Sequence, residues 1–187
     1  MSPTAIVLIV IGAIVVLWLI TAYNRLVRLR NQFRNAWAQI DVQLKRRWDL
    51  IPNLVETVKG YTRHEAETLQ KVTEARAVAQ KAAGQGVAKQ AEAESALSGA
   101  LHRLMVVVEA YPDLKANQNY LALQEELTST ENKIGFSRQF YNDAAMRFNV
   151  QTQVFPTSIV AGIFNFKQAE FFELKDEAAR EAPKVQF

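Results

Sequence analysis

The sequence lacks cysteine entirely and contains two histidines, His64 and His102, among its 187 residues. A disulfide framework and a thiolate metal site are therefore excluded, and two distant histidines disfavour a transition-metal site. Glycine and proline are also scarce, with seven and five residues. Because all-β folds need many turn residues, this scarcity disfavours an all-β architecture, and the 49% of hydrophobic residues argues against disorder.

Sequence motifs that carry chemistry are absent as well. His64 and Glu65 begin a zinc-binding H-E-x-x-H pattern, but Thr68 stands where the second histidine is needed. The chain has no G-x-S-x-G nucleophile motif, and the glycines at 84 and 86 are not followed by the Gly-Lys-Ser/Thr of a phosphate-binding loop. We therefore predict that the protein is not an enzyme and has no catalytic, cofactor-binding or metal-binding residues.

An uncharged apolar segment occupies residues 4–23. A helix of this length is about 30 Å long, which matches the hydrocarbon core of a bilayer. Trp18 and Tyr23 lie towards its C-terminal end, where aromatic rings favour the headgroup region. A cleaved signal peptide is the competing interpretation, but no basic region precedes the segment and residues 21–24 form a poor cleavage site. The pattern predicts an uncleaved transmembrane anchor over residues 1–23.

Basic residues are concentrated directly after this segment. Residues 24–48 contain seven basic residues and one acidic residue, whereas residues 49–187 contain 15 basic and 18 acidic residues. Such clustering indicates a membrane surface, and we predict no nucleic-acid partner because no stacking platform on a recognised fold is found. The positive-inside rule predicts a single-pass membrane protein with its N-terminus outside and its C-terminal domain in the cytoplasm. The predicted headgroup contacts are Arg25, Arg28, Arg30 and Arg34.

The remainder of the chain has helical periodicity. Apolar residues recur every three or four positions from Phe33 to Val58 and more weakly to residue 83, where a Gly-Gln-Gly sequence supplies a stop. The same spacing predicts helices over 87–110 and 116–154, and no segment alternates at period two. We predict an all-α fold, in which the transmembrane helix continues into an antiparallel bundle or coiled coil of three long helices with a short C-terminal helical cap, over residues 24–172.

Pro52 interrupts the first of these helices. Asp49 can cap a new helix and place Pro52 in its first turn, where the missing N–H costs nothing. The alternative is a continuous helix that is kinked at Pro52. Both alternatives predict a bend, and whether that bend is a hinge or fixed geometry stays open.

Two further features concern faces and ends of the helices. Phe136 and Phe140 lie beside the apolar stripe of the last helix, which predicts contact with more than one neighbour. The uncharged residues 155–166 form either a plug over the end of the bundle or a contact surface for another subunit or the bilayer, at Ile163, Phe164 and Phe166. Residues 173–187 are charged, and we predict a tail that frays.

Residues 24–31 and 35–55 form an unusual pattern that includes Asp-x-x-Leu-x-x-Arg-x-Asp-Leu-Ile-Pro-Asn at 41–53. Together with the segments at 58–65, 131–132, 141–143, 148–149, 155–156 and 162–166, this pattern closely resembles the signature of the bacterial LemA family. The resemblance implies an α-helical, single-pass inner-membrane protein without a defined reaction. Family members are similar to a protein needed for magnetosome membranes, and their genes often neighbour membrane-protease genes. Trp48 departs from the pattern, since many relatives have tyrosine there.

The polar residues of this motif suggest a role in helix register. Asp41, Lys45 and Asp49 recur every four residues on one helix face, and two arginines flank the apolar stripe. Polar groups beside a helix seam often set the register between helices or between subunits. The predicted interaction or register residues are Asp41, Arg46, Arg47, Asp49, Pro52 and Asn53.

These observations lead to two hypotheses for function. The first is a non-enzymatic inner-membrane scaffold that self-associates as a homo-oligomer and organises or supports the bilayer and its proteins. The alternative is an adaptor or regulator of a membrane protease, with the uncharged C-terminal segment as its docking surface. The expected partners are the lipid bilayer, further copies of the chain and, in the alternative, a membrane protease.

Overall fold

The computed structural model describes residues 2–62 and 65–173, and these ranges contain helices and no strand. The helices are α1 (Pro3–Lys59), α2 (Ala66–Ala82), α3 (Val87–Val108), α4 (Pro112–Lys115), α5 (Gln118–Gln153) and α6 (Thr157–Ile163). The predicted all-α class is therefore confirmed. His64 and residues 174–187 lie outside the described ranges, so the charged tail stays a prediction.

The first helix begins as its sequence pattern predicts and ends earlier than the pattern predicts. α1 is a single helix of 57 residues that contains the apolar segment and continues into the amphipathic stretch, as expected. It ends at Lys59, however, so a first helix running unbroken to residue 83 is wrong. Gly60 follows Lys59, and glycine disfavours a helix because it loses the most conformational entropy on folding. The Thr62 hydroxyl donates to the Val58 carbonyl at 3.1 Å, which satisfies one of the free carbonyls at the helix end.

Pro52 lies inside α1, and the helix continues past it for two turns. The prediction that Asp49 caps a new helix is therefore wrong, and the helix is continuous through Pro52, while the bend there stays a prediction. A proline inside a helix leaves the carbonyl four residues earlier without its usual donor. For Pro52 that carbonyl belongs to Trp48.

The described residues divide into two compact units. The anchor unit comprises the residues up to Gln39 together with Gln139–Glu170. The cluster unit comprises Ile40–Arg138 together with the residues from Phe171 onward. α1 and α5 each contribute residues to both units. The compositional boundaries at 23 and 172 stay predictions.

The anchor unit has a core of aromatic and aliphatic side chains. Phe148 of α5 is fully buried, and its ring lies 5.0 Å from that of Phe33 on α1. The ring of Trp37 lies 5.3 Å from that of Tyr141. Such tilted and edge-on ring pairs add to the free energy of burial. The buried members of the core are Ala22, Leu26, Phe148, Val160, Ala161 and Phe166.

The cluster unit buries the apolar stripes that the periodicity predicts. α2 and α3 pack against each other and are joined by a turn in which Gly84 and Gly86 have φ angles of 79° and 110°. Because those angles favour glycine, the predicted stop at 84–86 is confirmed. α4 is a short turn of helix that begins at Pro112 and that the sequence pattern did not predict. The buried stripe residues include Ile40, Leu44, Ile51, Leu97, Leu104, Leu127 and Ile134.

Candidate functional site

A buried ion cluster lies inside the cluster unit and is centred on Arg47. The side chains of Arg47 and Glu94 are each 1% exposed and form an ion pair between α1 and α3. The second terminal nitrogen of Arg47 donates to Glu131 Oε1 of α5 at 2.5 Å and to Ser98 Oγ at 3.0 Å. A buried arginine that is paired with two carboxylates joins three helices at one point.

Glu94 is also held by neutral donors. Its Oε1 accepts a hydrogen bond from the indole nitrogen of Trp48 at 3.0 Å and from the Gln90 side chain at 2.8 Å. Burial raises the pKa of Glu94, while the charge and hydrogen bonds of Arg47 and the donors of Gln90 and Trp48 act in the opposite direction. Trp48 therefore supplies an N–H donor to the cluster.

The carbonyl left free by Pro52 is satisfied from α2. Arg76 Nε donates to the Trp48 carbonyl oxygen at 2.6 Å. Because Pro52 has no N–H, this oxygen has no partner of its own in the helix ladder, and the arginine replaces it. The cluster and this bond together tie α1 to α2, α3 and α5.

Sequence reasoning missed Gln90, Glu94 and Arg76. The first two do carry a signal, since Gln90 and Glu94 stand seven and three residues before Leu97 and so extend the buried stripe of α3 towards its N-terminus. Polar residues at two successive stripe positions indicate a buried polar contact. Arg76 carries no such signal, because its partner is a backbone atom 28 residues away.

The other predicted register residues are on the surface. Arg46 pairs with Glu126 of α5 at 2.7 Å, and both side chains are more than 40% exposed. Asp41 pairs within α1 with Lys45 at 3.0 Å. The side chains of Asp49, Pro52 and Asn53 are exposed. Of the predicted set, Arg46 and Arg47 bind to other helices of the chain, and a role between subunits stays a prediction.

The apolar segment of α1 lies open on the surface of the anchor unit. This helix is long and apolar enough to cross a membrane, and only 6% of its most hydrophobic stretch is buried. A helix that is apolar on all sides and uncovered by protein needs an apolar environment. The chain is therefore membrane-associated.

The predicted headgroup arginines follow this segment in the anchor unit. Arg25, Arg28 and Arg34 are exposed. Arg30 is half-buried, with its guanidinium 5.0 Å from the centre of the Phe166 ring, an attractive cation–π arrangement. Three of the four arginines are thus open to anionic groups, and the fourth contacts the C-terminal segment.

The C-terminal segment covers the core with one face, as the plug interpretation predicts, and its role as a contact surface stays a prediction. Val160 and Ala161 of α6 are buried against α1, whereas Ile163 is 69% and Phe164 is 55% exposed. Phe166 is 9% exposed and belongs to the core. The segment therefore covers the core with one face and leaves an apolar surface on the other.

Two polar side chains of α5 hold the residues after α6 in place. The Asn149 side chain donates to the Ala169 carbonyl at 2.9 Å and accepts from the Ala169 amide at 2.7 Å. Tyr141 donates its hydroxyl proton to the Glu170 carbonyl at 2.7 Å. Burial, with a smaller effect of the Glu170 charge, raises the pKa of Tyr141 to about 12, so this donor keeps its proton at physiological pH.

Comparison with known proteins shows a match over most of the chain. The model of the LemA family matches residues 36–187, which begins after the apolar segment and the four arginines. Protein LemA of Metamycoplasma hominis is 30% identical over 155 residues, covering 82% of this chain and 69% of that protein.

Shorter matches connect the chain to a second group of proteins. Magnetosome proteins MamQ 1 and MamQ 2 of Paramagnetospirillum magneticum are each 36% identical to it over 83 residues. The match covers 44% of this chain and 30% of each magnetosome protein.

Proposed function

The chain belongs to the LemA family, and on that premise we propose that it is a non-enzymatic scaffold of the inner membrane, anchored by α1, that self-associates through α5. The exposed apolar segment and the arginines that follow it support the anchor and a cytoplasmic placement of the C-terminal side. Relatives that are named as magnetosome proteins are consistent with a role at a membrane.

The observation that carries self-association is an uncovered apolar face on α5. Within the anchor unit, Phe140, Met146 and Val150 of α5 and Val154 directly after it all expose their side chains. At about 100° per residue, these positions fall within about 120° of the helix circumference. Isolated exposed apolar residues are normal, but a contiguous row of them marks an interaction surface.

A second copy of the chain is the partner that fits this face. The anchor holds every copy in the same membrane, so all copies present the face at the same height and at a high effective concentration. Asp143 and Arg147 lie on the same face and give it one charge of each sign, so an approaching copy is not repelled. The sequence-based prediction that α5 contacts more than one neighbour also rests on Phe140, which is one of these exposed residues.

The mass of the full-length protein, extracted in detergent and measured by native mass spectrometry, tests this proposal. We expect a defined homo-oligomer for the unchanged chain and a monomer for Val150→Glu, because the glutamate places a charge in the contact. Val78→Glu on α2 is the matched control, since Val78 is 55% exposed and Val150 is 52% exposed. This control should keep the mass of the unchanged protein.

Two results would count against self-association. The first is an unchanged chain that is monomeric in detergent and in nanodiscs, and the second is an equal loss of mass in both valine variants. A monomer that co-purifies with a membrane protease would instead favour the adaptor hypothesis. Digestion of the soluble part from the outer side of spheroplasts would overturn the cytoplasmic placement.

A further inference from the structure

α6 packs against α1 at the point where the apolar segment ends. The shared core contains Ala22 and Leu26 of α1 with Val160 and Ala161 of α6, and Trp18 packs against it. The ring of Tyr23, the last residue of the apolar segment, lies 4.7 Å from the ring of Phe164. Aromatic rings at such a position lie at the headgroup level when the helix spans a bilayer, so α6 lies at that level too.

The outer surface of this segment is strongly apolar. Ile159 and Ile163 stand one helical turn apart and are 52% and 69% exposed, and Phe164 follows at 55%. Phe155, just before α6, is 81% exposed. α6 has seven residues and buries one face against α1, and these side chains form the surface that stays exposed.

Cations flank the C-terminal segment in sequence, as basic residues follow the apolar segment of α1. Residues 148–166 carry no charge and are flanked by the exposed cations Arg147 and Lys167. Over the ranges of the anchor unit, residues 1–39 and 139–170, the sequence has six basic and two acidic residues. An apolar surface beside cations matches the interfacial region of an anionic bilayer.

From this placement we propose that α6 and its two flanking phenylalanines insert into the headgroup–acyl boundary beside α1 as a second bilayer contact. The inserting side chains are those of Phe155, Ile159, Ile163 and Phe164. The chain then touches the membrane at two segments that are about 140 positions apart in sequence and adjacent in the anchor unit. A helix that lies in the interface needs one apolar face and a polar surround, and this segment has both. The inference rests on the proposed membrane anchor but is independent of self-association.

The absence of cysteine makes this proposal directly measurable. A single cysteine at Ile163→Cys is labelled with an environment-sensitive fluorophore, in full-length protein reconstituted into nanodiscs of phosphatidylethanolamine and phosphatidylglycerol. We expect a blue shift of its emission and quenching by lipids that carry a spin label near the headgroup. Because Ile163 is largely exposed, the label does not disturb the core.

Two matched labels separate the possible results. A label at Leu8→Cys, inside the apolar segment, should be quenched by spin labels deep in the acyl chains, and a label at Val78→Cys on α2 should be quenched by neither lipid. If the label at 163 is unquenched while the label at 8 is quenched, the α6 contact is overturned and the anchor stands. A blue shift at 163 without lipid quenching means that protein covers the surface, which also overturns the proposal. An unquenched label at 8 removes the anchor and the inference together.

Discussion

The two units of the chain both bury apolar side chains but differ in whether they also bury charges. The anchor unit has a core of aliphatic and aromatic groups, and its sequence ranges hold six basic and two acidic residues. The cluster unit buries the ion pair of Arg47 and Glu94, and Glu94 also accepts hydrogen bonds from two neutral side chains. In the same unit Arg76 donates to the Trp48 carbonyl. Apolar contacts are non-directional, whereas charged hydrogen bonds require one geometry. The difference suggests that one unit attaches to the bilayer while the other fixes the register of its helices.

The largest expected effect separates two neighbouring arginines of the cluster unit. Arg47→Ala leaves Glu94 buried without its counterion and should lower the free energy of unfolding by about 3–5 kcal/mol. Arg46→Ala removes an exposed pair and should cost about 0–1 kcal/mol. Chemical unfolding of the detergent-solubilised chain, followed by circular dichroism, measures both values.

A double substitution sharpens the same comparison. Replacing Arg47 and Glu94 together with methionine removes both buried charges, so it should recover much of the stability that Arg47→Ala loses. Equal losses for the Arg46 and Arg47 single variants would contradict a special role for the buried cluster.

A smaller effect is expected at the carbonyl that Pro52 leaves free. Arg76→Ala removes its donor and should cost about 1.5–3 kcal/mol, the range for a hydrogen bond to a charged group. Pro52→Ala restores an N–H in the helix, so the double variant Arg76→Ala/Pro52→Ala should be more stable than Arg76→Ala alone. If Pro52→Ala gives no rescue, the interaction of Arg76 with Trp48 is not what stabilises this region.

The smallest of the three effects is expected in the anchor unit, where a polar bond supports an apolar core. Asn149→Ala removes both hydrogen bonds to Ala169 and should cost about 1–3 kcal/mol. The amide of Ala169 should then exchange with solvent faster, while amides of the cluster unit keep their protection. Gln153→Ala, at the exposed C-terminal end of α5, serves as the control. Loss of protection in both units would show that their stabilities are not separate.

Local sequence patterns predicted most of the helices. The limits of α3 and α5 lie within two residues of the ranges that periodicity gives, because a buried stripe repeats with the helix itself. The Gly84–Gly86 stop was also predictable from local sequence, because glycine adopts the positive φ angles that end a helix. The break after Lys59 was missed because Leu69 and Val72 resume the apolar stripe in phase with Val58 after the residues that separate α1 from α2.

The register residues show where sequence reasoning ended. The motif at 41–53 directed attention to Arg47, yet its partners Glu94 and Glu131 lie 47 and 84 residues further along the chain. In the sequence only its position on the stripe of α3 distinguishes Glu94 from other glutamates, and only the packing of α3 against α1 buries it.

The sequence by itself determined the apolar segment, the basic residues after it and the helical class, because hydrophobicity, charge and period are properties of neighbouring residues. Only the tertiary structure decided which arginine is buried, which carbonyl Arg76 reaches and which face of α6 stays open at the end of the apolar segment. Those outcomes depend on groups far apart in the chain, and their energies exist only once packing has excluded water from one side and left it on the other.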